Sequence, residues 1–174
     1  MKRLGCILIV ATLVLALSAC GGKTSGSTAK IESQPYSANG VSFDYPKNWQ
    51  TISSSQLSVQ ATDWNYLAIV SDGTNGGSLA AVIKLRPQDT VESAVSDAKQ
   101  FKNSDVQENA VTVAGVPATQ LVSTGSTISG DKVTSRTIIF EKNGAVYELN
   151  FATKTDKYES ESPKFDLVMK TLQL

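Results

Sequence analysis

The sequence predicts an α+β fold: an α/β/α sandwich whose mostly antiparallel central sheet is flanked by helices. Strand-length segments dominate the chain, and Asn143-Gly144 separates two of them in the manner of a two-residue hairpin. Two further segments, 89–103 and 162–174, have apolar residues at helical spacing instead. Segments 66–70 and 78–85 are apolar on both faces over most of their length, so both faces of the sheet must be covered.

The first predicted strand lies in 41–49, VSFDYPKNW, where apolar and polar residues alternate. Phe43 and Tyr45 share one face. Pro46 ends the strand because its nitrogen cannot donate a ladder hydrogen bond. Aromatic residues at strand spacing are usually core residues, and we therefore expect Trp49 to be buried.

Segments 66–70 and 78–85 are predicted to pair antiparallel through the Gly- and Asn-rich loop 71–77. A calcium loop would need several carboxylates, whereas this loop has Asp72 alone. The loop is predicted to be a plain connection, and Asp72 is kept as a tentative binding residue.

The clearest predicted helix is 89–103. Asp89 and Glu92 have the spacing of a capping box. Ser96 and Lys99 match S-x-x-K, but the S-D-N and K-T-G motifs of Ser-Lys enzymes do not occur in the chain. Both residues also fall on the outward face, which favours a solvated pair. The inward face is predicted to carry Val91, Ala94, Val95, Ala98 and Phe101.

Two hairpins follow the helix. The first joins 108–115 to 117–124 at Gly115. The second spans 135–152, and its Asn143-Gly144 turn sets the register. One face then pairs Phe140 with Tyr147 and Ile138 with Leu149, with Phe151 further along. The other, more polar face pairs Glu141 with Val146, Ile139 with Glu148 and Thr137 with Asn150.

The last predicted helix, 162–174, has Ser162 as candidate N-cap and Pro163 as its first residue. An acidic cluster lies near it, interspersed with lysines, which favours a solvated face over a weak cation site. Its members are Asp156, Glu159, Glu161 and Asp166.

Composition excludes several function classes. The 174 residues include 16 basic and 16 acidic side chains, so no positive field favours nucleic acid as a partner. There is no histidine, which removes the commonest general base and the usual zinc ligand. The two cysteines, Cys6 and Cys20, both lie near the N-terminus. We expect no catalytic residue, no metal site and no cofactor, and hence a protein that is not an enzyme.

The N-terminus is predicted to be a targeting signal. Lys2 and Arg3 precede an apolar run that ends in Leu17-Ser18-Ala19-Cys20. This stretch resembles a bacterial lipoprotein signal, which implies cleavage between Ala19 and Cys20 and diacylglycerol on the Cys20 sulfur. Two acyl chains anchor a protein stably to a membrane. An uncleaved membrane helix is the alternative.

Three regions follow from this prediction. Residues 1–19 are the signal peptide, 20–40 a lipid-anchored Gly/Ser/Thr-rich tether, and 41–174 the folded domain. Within the domain, Trp64 follows Asp63 in what looks like a turn, where a large aromatic side chain is exposed more often than in a strand. Trp64 and Asp72 are therefore the tentative binding residues.

The order of the motifs resembles the PsbP-like family, whose members include an extrinsic subunit of photosystem II and many bacterial lipoproteins. F-x-Y-P-x-x-W lies at 43–49, V-x-V-x-G-x-P-A at 111–118 and Y-E-L-N-F at 147–151. The resemblance implies an antiparallel sheet flanked by helices, and a binding or assembly role. The His-containing metal sites of the family have no counterpart here.

These observations predict a lipoprotein on the extracytoplasmic face of the cell membrane. Its domain would be a non-catalytic binding or assembly module with a protein or envelope partner at the membrane surface. The alternative is a small-ligand or ion receptor that delivers cargo to a membrane system.

Overall fold

A computed structural model describes residues 30–56, 64–73, 77–100, 106–127 and 129–174. Contacts delimit a compact unit from Ile31 to Leu174. In the described part of the chain its strands are β1 (Ser33–Ala38), β2 (Val41–Pro46), β3 (Gln50–Thr51), β4 (Asn65–Ser71), β5 (Leu79–Lys84), β6 (Val106–Val113), β7 (Val116–Ser126), β8 (Lys132–Lys142) and β9 (Ala145–Lys154). Its helices are α1 (Val91–Gln100) and α2 (Tyr158–Thr171).

The central sheet is antiparallel throughout the described strands, with the order β3-β4-β5-β9-β8-β7-β6. Strands β1 and β2 form a separate antiparallel pair. The predicted antiparallel pairing of 66–70 with 78–85 is confirmed by β4 and β5. The predicted register of the β8–β9 hairpin is also confirmed, with Phe140 opposite Tyr147 and Ile138 opposite Leu149.

Two-residue turns close three hairpins among the described strands: Asn39-Gly40, Ala114-Gly115 and Asn143-Gly144. Both residues of each turn have positive φ, as a type I′ turn requires. Asn and Gly tolerate this conformation, whereas Ala114, at φ 51°, has a Cβ that opposes it.

One face of the sheet carries the main core. Helix α2 packs Phe165 and Val168 on this face, and Phe165 stacks on Phe151 with ring centroids 5.0 Å apart. The β1–β2 hairpin adds Phe43 and, from the segment after β2, Trp49, which is 2% exposed as predicted.

The opposite face is also covered, as predicted, and its β8–β9 pairs are the predicted, more polar ones: Glu141 with Val146, Ile139 with Glu148 and Thr137 with Asn150. Ile139 and Val146 lie under α1 together with Leu121 of β7. Thr137 on the same face is 1% exposed. Neighbouring residues such as Ile138 and Ile139 point to opposite faces of the sheet, and each packs in the cluster of a different helix. The two helices thus cover the two faces of the sheet, in agreement with the predicted sandwich.

The N-terminal cap of α1 differs from the prediction by one residue. Thr90 Oγ1 accepts from the Ser93 backbone nitrogen at 3.1 Å, and Ser93 Oγ accepts from the Thr90 nitrogen at 2.9 Å. Asp89 instead accepts from Arg86, through the backbone nitrogen at 3.1 Å and through the guanidinium. Glu92 is exposed. The predicted end of this helix, 101–103, lies outside the described residues.

Helix α2 begins at Tyr158, before the predicted start, so Ser162 is not its N-cap. Pro163 lies inside the helix rather than at its first position. A short 3-10 turn, Thr155–Lys157, leads into α2, and Ser160 Oγ donates to the Lys157 carbonyl at 2.9 Å. The earlier start follows because the 3-10 turn runs directly into α2, with the Tyr158 backbone nitrogen donating to the Thr155 carbonyl.

The folded unit also starts earlier than the predicted boundary at 41. Strand β1 falls within the segment predicted to be a tether, because each of its residues pairs with β2. Tyr36 stacks on Phe43 at 5.0 Å and donates its hydroxyl hydrogen to the Leu67 carbonyl at 2.8 Å. The signal peptide, Cys20 and the rest of the tether lie outside the described residues.

Candidate functional site

Helix α1 packs on one part of its face of the sheet, where Ala94 clusters with Leu121, Ile139 and Val146. The 10 described residues of α1 span about 15 Å, whereas the 11 residues of β8 span about 37 Å. Beyond the helix the sheet face forms one wall of a cavity of about 390 Å³, which we call the Trp64 cavity. It is lined by Trp64, Tyr66, Gly77, Leu79, Ala81, Ile83, Thr127, Asp131, Val133, Asn150, Ala152, Thr153 and Lys154.

The wall of the Trp64 cavity is mostly apolar. It consists mainly of every second side chain of the strands, those that point to this face of the sheet. Ala81 and Ile83 of β5 are buried at its base. Leu79, Val133 and Ala152 are half-buried, and Leu79 lies opposite Ala152 in the β5–β9 register. The cavity therefore offers apolar surface that side chains from the described residues leave partly uncovered.

Trp64 stands at the edge of this wall. Its side chain is 51% exposed, and among the described residues it is the one large hydrophobic side chain that is exposed. Its ring lies 6.0 Å from that of Tyr66 at a tilt of 38°, so the two aromatic side chains line the cavity together. Burial raises the pKa of Tyr66 above 10.0, and the nearby Glu148 carboxylate raises it further. Tyr66 is therefore a neutral, hydroxyl-bearing wall residue at physiological pH.

Charge at the cavity rim is balanced. Lys154 Nζ lies 3.8 Å from Asp131 Oδ1, and both side chains are partly exposed. Asn150 donates from Nδ2 to Glu148 Oε1 at 3.0 Å. The two charged side chains that line the rim in the described part of the chain are therefore of opposite sign and lie together.

The profile of the PsbP-like protein family matches residues 20–173. The chain belongs to the PsbP-like family. Its antiparallel sheet with helices agrees with the fold of this family. A search of curated proteins finds no match.

Solved structures with the same fold include two whose descriptions point to an envelope or a photosynthetic setting. LpqN of Mycobacterium tuberculosis, described as involved in cell envelope biogenesis, is 17% identical with a TM-score of 0.56. The match covers 83% of this chain and 91% of LpqN. CyanoP, the cyanobacterial PsbP of Synechocystis sp. PCC 6803, is 17% identical with a TM-score of 0.53, covering 91% of this chain and 98% of CyanoP.

The Ran-binding protein Mog1p of Saccharomyces cerevisiae also has this fold. It is 9% identical with a TM-score of 0.51, and the match covers 82% of this chain and 95% of Mog1p. Identities this low show the shared fold alone.

Asp72 and Trp64 do not share a site in this PsbP-like domain. Asp72 accepts from the Ser78 backbone nitrogen at 3.1 Å, and its own nitrogen donates to the Ser78 carbonyl at 3.1 Å. Asp72 is absent from the lining of the Trp64 cavity, and its carboxylate closes the loop between β4 and β5. Of the two tentative binding residues, Trp64 lines this cavity and Asp72 does not.

A buried arginine, which sequence reasoning missed, links the sheet to α2. Arg136 is 9% exposed; its Nε donates to Gln120 Oε1 and its Nη1 to Asp166 Oδ1, both at 2.6 Å. Its guanidinium carbon lies 4.9 Å from the centre of the Phe165 ring. Strand alternation could have found it, because Arg136 has the same parity as Ile138 in β8.

The predicted acidic cluster is divided between structural pairs. Asp166 binds Arg136, while Glu161 accepts from Lys164 Nζ at 2.6 Å and from Ser78 Oγ at 2.9 Å. Within the described ranges, no three His, Cys, Asp or Glu side chains converge as a metal site would require. Asp166 and Glu161 thus link α2 to the sheet and to Ser78, whereas Asp156 and Glu159 are exposed, as predicted for a solvated face.

The S-x-x-K pair lies on the solvated face of α1, as predicted. Ser96 and Lys99 are exposed, and Lys99 forms an ion pair with Glu108 of β6. Among the described helices, none is long and apolar enough to cross a membrane. Ala19 and Cys20 lie outside the described residues.

Proposed function

We propose that this protein is a lipoprotein anchored through Cys20 to the extracytoplasmic face of the cell membrane. Its PsbP-like domain acts there as a non-catalytic binding or assembly module. The observation that carries the proposal is the family match over 20–173, which starts at the residue where the lipobox predicts the mature chain to begin.

The binding role is supported by what the domain offers to a partner. Arg136, Asp166 and Glu161 are engaged in structural contacts. The Trp64 cavity, in contrast, presents an exposed aromatic residue and partly exposed apolar walls. The envelope role described for LpqN is consistent with a partner in the cell envelope.

A second candidate function is a small-ligand receptor that delivers its cargo to a membrane system. The Trp64 cavity favours this candidate, because its volume of about 390 Å³ lies in the range of small-molecule sites.

Anchoring is tested by producing the full chain and a Cys20→Ala variant in a bacterial host. We expect mass spectrometry to find a processed, diacylated N-terminal Cys20 in the first and an unprocessed chain in the second. The acylated protein should pellet with membranes and be accessible to protease from outside the cytoplasm. An intact Met1 on the wild-type chain, or an unacylated Cys20, would refute the anchor.

The binding role is tested by crosslinking in membranes that carry the acylated protein. We expect a defined protein or envelope component that the Trp64→Ser variant recovers less well. Recovery of the same component at equal yield by a Ser96→Ala variant is the control, since Ser96 lies on the solvated face of α1. No specific crosslink across growth conditions would contradict a scaffold role.

A further inference from the structure

We propose that the Trp64 cavity binds a neutral small molecule with an apolar body, such as an uncharged medium-chain alcohol or ester. The inference rests on the proposed function, because it names the ligand class of the same binding module. Three features of the cavity support this ligand class: its apolar wall, its paired charges and its size.

The wall provides apolar contact that is still partly open. Leu79, Val133 and Ala152 are half-buried side chains on the sheet face beyond α1, and Trp64 is 51% exposed. Covering apolar surface of this kind is favourable in proportion to the area removed from water. A ligand with an alkyl or ring body would complete the burial that α1 provides over the rest of the face.

The rim charges select against an ionised ligand. Asp131 and Lys154 are the charged side chains that line the cavity in the described part of the chain, and they pair with each other at 3.8 Å. An ionised ligand would lose hydration against the apolar wall without gaining an uncompensated charge of opposite sign. A neutral hydroxyl or ester group loses less, and Tyr66, whose side chain carries a hydroxyl group, is among the lining residues.

The size of the cavity selects a small occupant. A volume of about 390 Å³ lies near the lower end of the range for small-molecule sites. Most of the walls come from strands β4, β5, β8 and β9 of one sheet, and Trp64, Gly77, Thr127 and Asp131 add residues from outside the strands. A short alkyl chain or one ring system fits this volume.

The test is photolabelling of the full chain in lipid vesicles with a neutral medium-chain alcohol that carries a diazirine on its alkyl chain. Labelled positions are mapped by mass spectrometry, and labelling is expressed relative to the rest of the domain. We expect labels to concentrate on β5 and on the end of β9 that contains Ala152. The carboxylic acid of the same chain length is expected to label these strands about tenfold less.

Two variants test the cavity and one is the matched control. Ala152→Leu fills the space opposite Leu79, and Trp64→Ser removes the exposed ring; each should reduce labelling of β5 about tenfold. Ala110→Leu makes the same change as Ala152→Leu on the exposed strand β6 and should leave labelling unchanged. Circular dichroism establishes that each variant is folded, and Trp64→Ser remains informative if Ala152→Leu is not.

Labelling that both cavity variants leave unchanged, or that is spread evenly over the domain, would overturn the inference. Stronger labelling by the carboxylic acid would overturn the neutral ligand class. Neither result affects the Cys20 anchor, whose test is the mass of the N-terminus, so the two proposals can fail separately.

Discussion

Ala114 shows how a single residue can oppose the turn that it occupies. Its φ of 51° is in the left-handed region, where the Asn residues of the other two-residue turns in the described strands are better tolerated. Its carbonyl accepts from Lys142 Nζ at 2.8 Å, which helps to hold the β6–β7 turn in place. The conformation is thus imposed by the hairpin and not chosen by the residue.

We expect Ala114→Asn to stabilise the protein by about 0.5–1 kcal/mol, because the left-handed conformation costs Asn less than Ala. The measurement is the midpoint of urea unfolding at an unchanged slope. Ala110→Asn is the control; it lies within β6, where Asn is unfavourable, and should lower the midpoint. A decrease for both variants would argue against the turn described here.

The aromatic residues show what residue patterns can and cannot predict. The burial of Trp49 follows from its place after an alternating strand, and Trp64, which directly precedes β4, is exposed as expected. The cavity beside Trp64 could not be predicted, because its walls come from strands separated by more than 50 residues in the sequence. The Arg136–Asp166 pair was missed for a similar reason, since its partners lie 30 residues apart.

At the scale of elements, α2 is fixed to the sheet by apolar packing and by one asymmetric ion pair. The Arg136 side chain is 11% exposed, whereas that of Asp166 is 35% exposed. Removing the carboxylate leaves a buried cation, while removing the arginine leaves an acid that water can reach. The two halves of the pair should therefore differ in their effect on stability.

We expect Asp166→Ala to lower the free energy of unfolding by about 3 kcal/mol, and Arg136→Met by about 1 kcal/mol. Methionine keeps an apolar contact on Phe165, which limits the second loss. Chemical denaturation of both variants measures the difference. Glu32→Ala, which removes an ion pair whose side chains are 68% and 80% exposed, is the control and should change stability by less than about 0.5 kcal/mol. Equal losses for the Arg136 and Asp166 variants would contradict the asymmetry.

For the whole molecule, the position of the domain boundary is the main change from the sequence prediction. Gly, Ser and Thr residues dominate 21–30, and this composition predicts a tether that extends to residue 40. Strand β1 is short and polar on much of its surface, so its own sequence has a weak strand pattern. It is ordered by pairing with β2 and by Tyr36, whose partners lie in β2 and at Leu67.

We expect a chain that begins at residue 41 to melt at least about 5 °C below one that begins at residue 31. Loss of β1 would expose part of Phe43 and Tyr45, each worth about 1.5–3 kcal/mol when fully buried. Thermal unfolding followed by circular dichroism measures the shift. Equal melting temperatures would instead support the boundary predicted from the sequence.

The sequence by itself determined the elements whose causes are local. Asn143-Gly144 set the register of β8 and β9, the apolar stripe of α1 set its buried face, and the motifs at 43–49 and 147–151 indicated the PsbP-like family. Only the tertiary structure decided the strand order, the place of β1, the Arg136–Asp166 pair and the Trp64 cavity. These depend on pairings and contacts between distant segments, which no local period encodes.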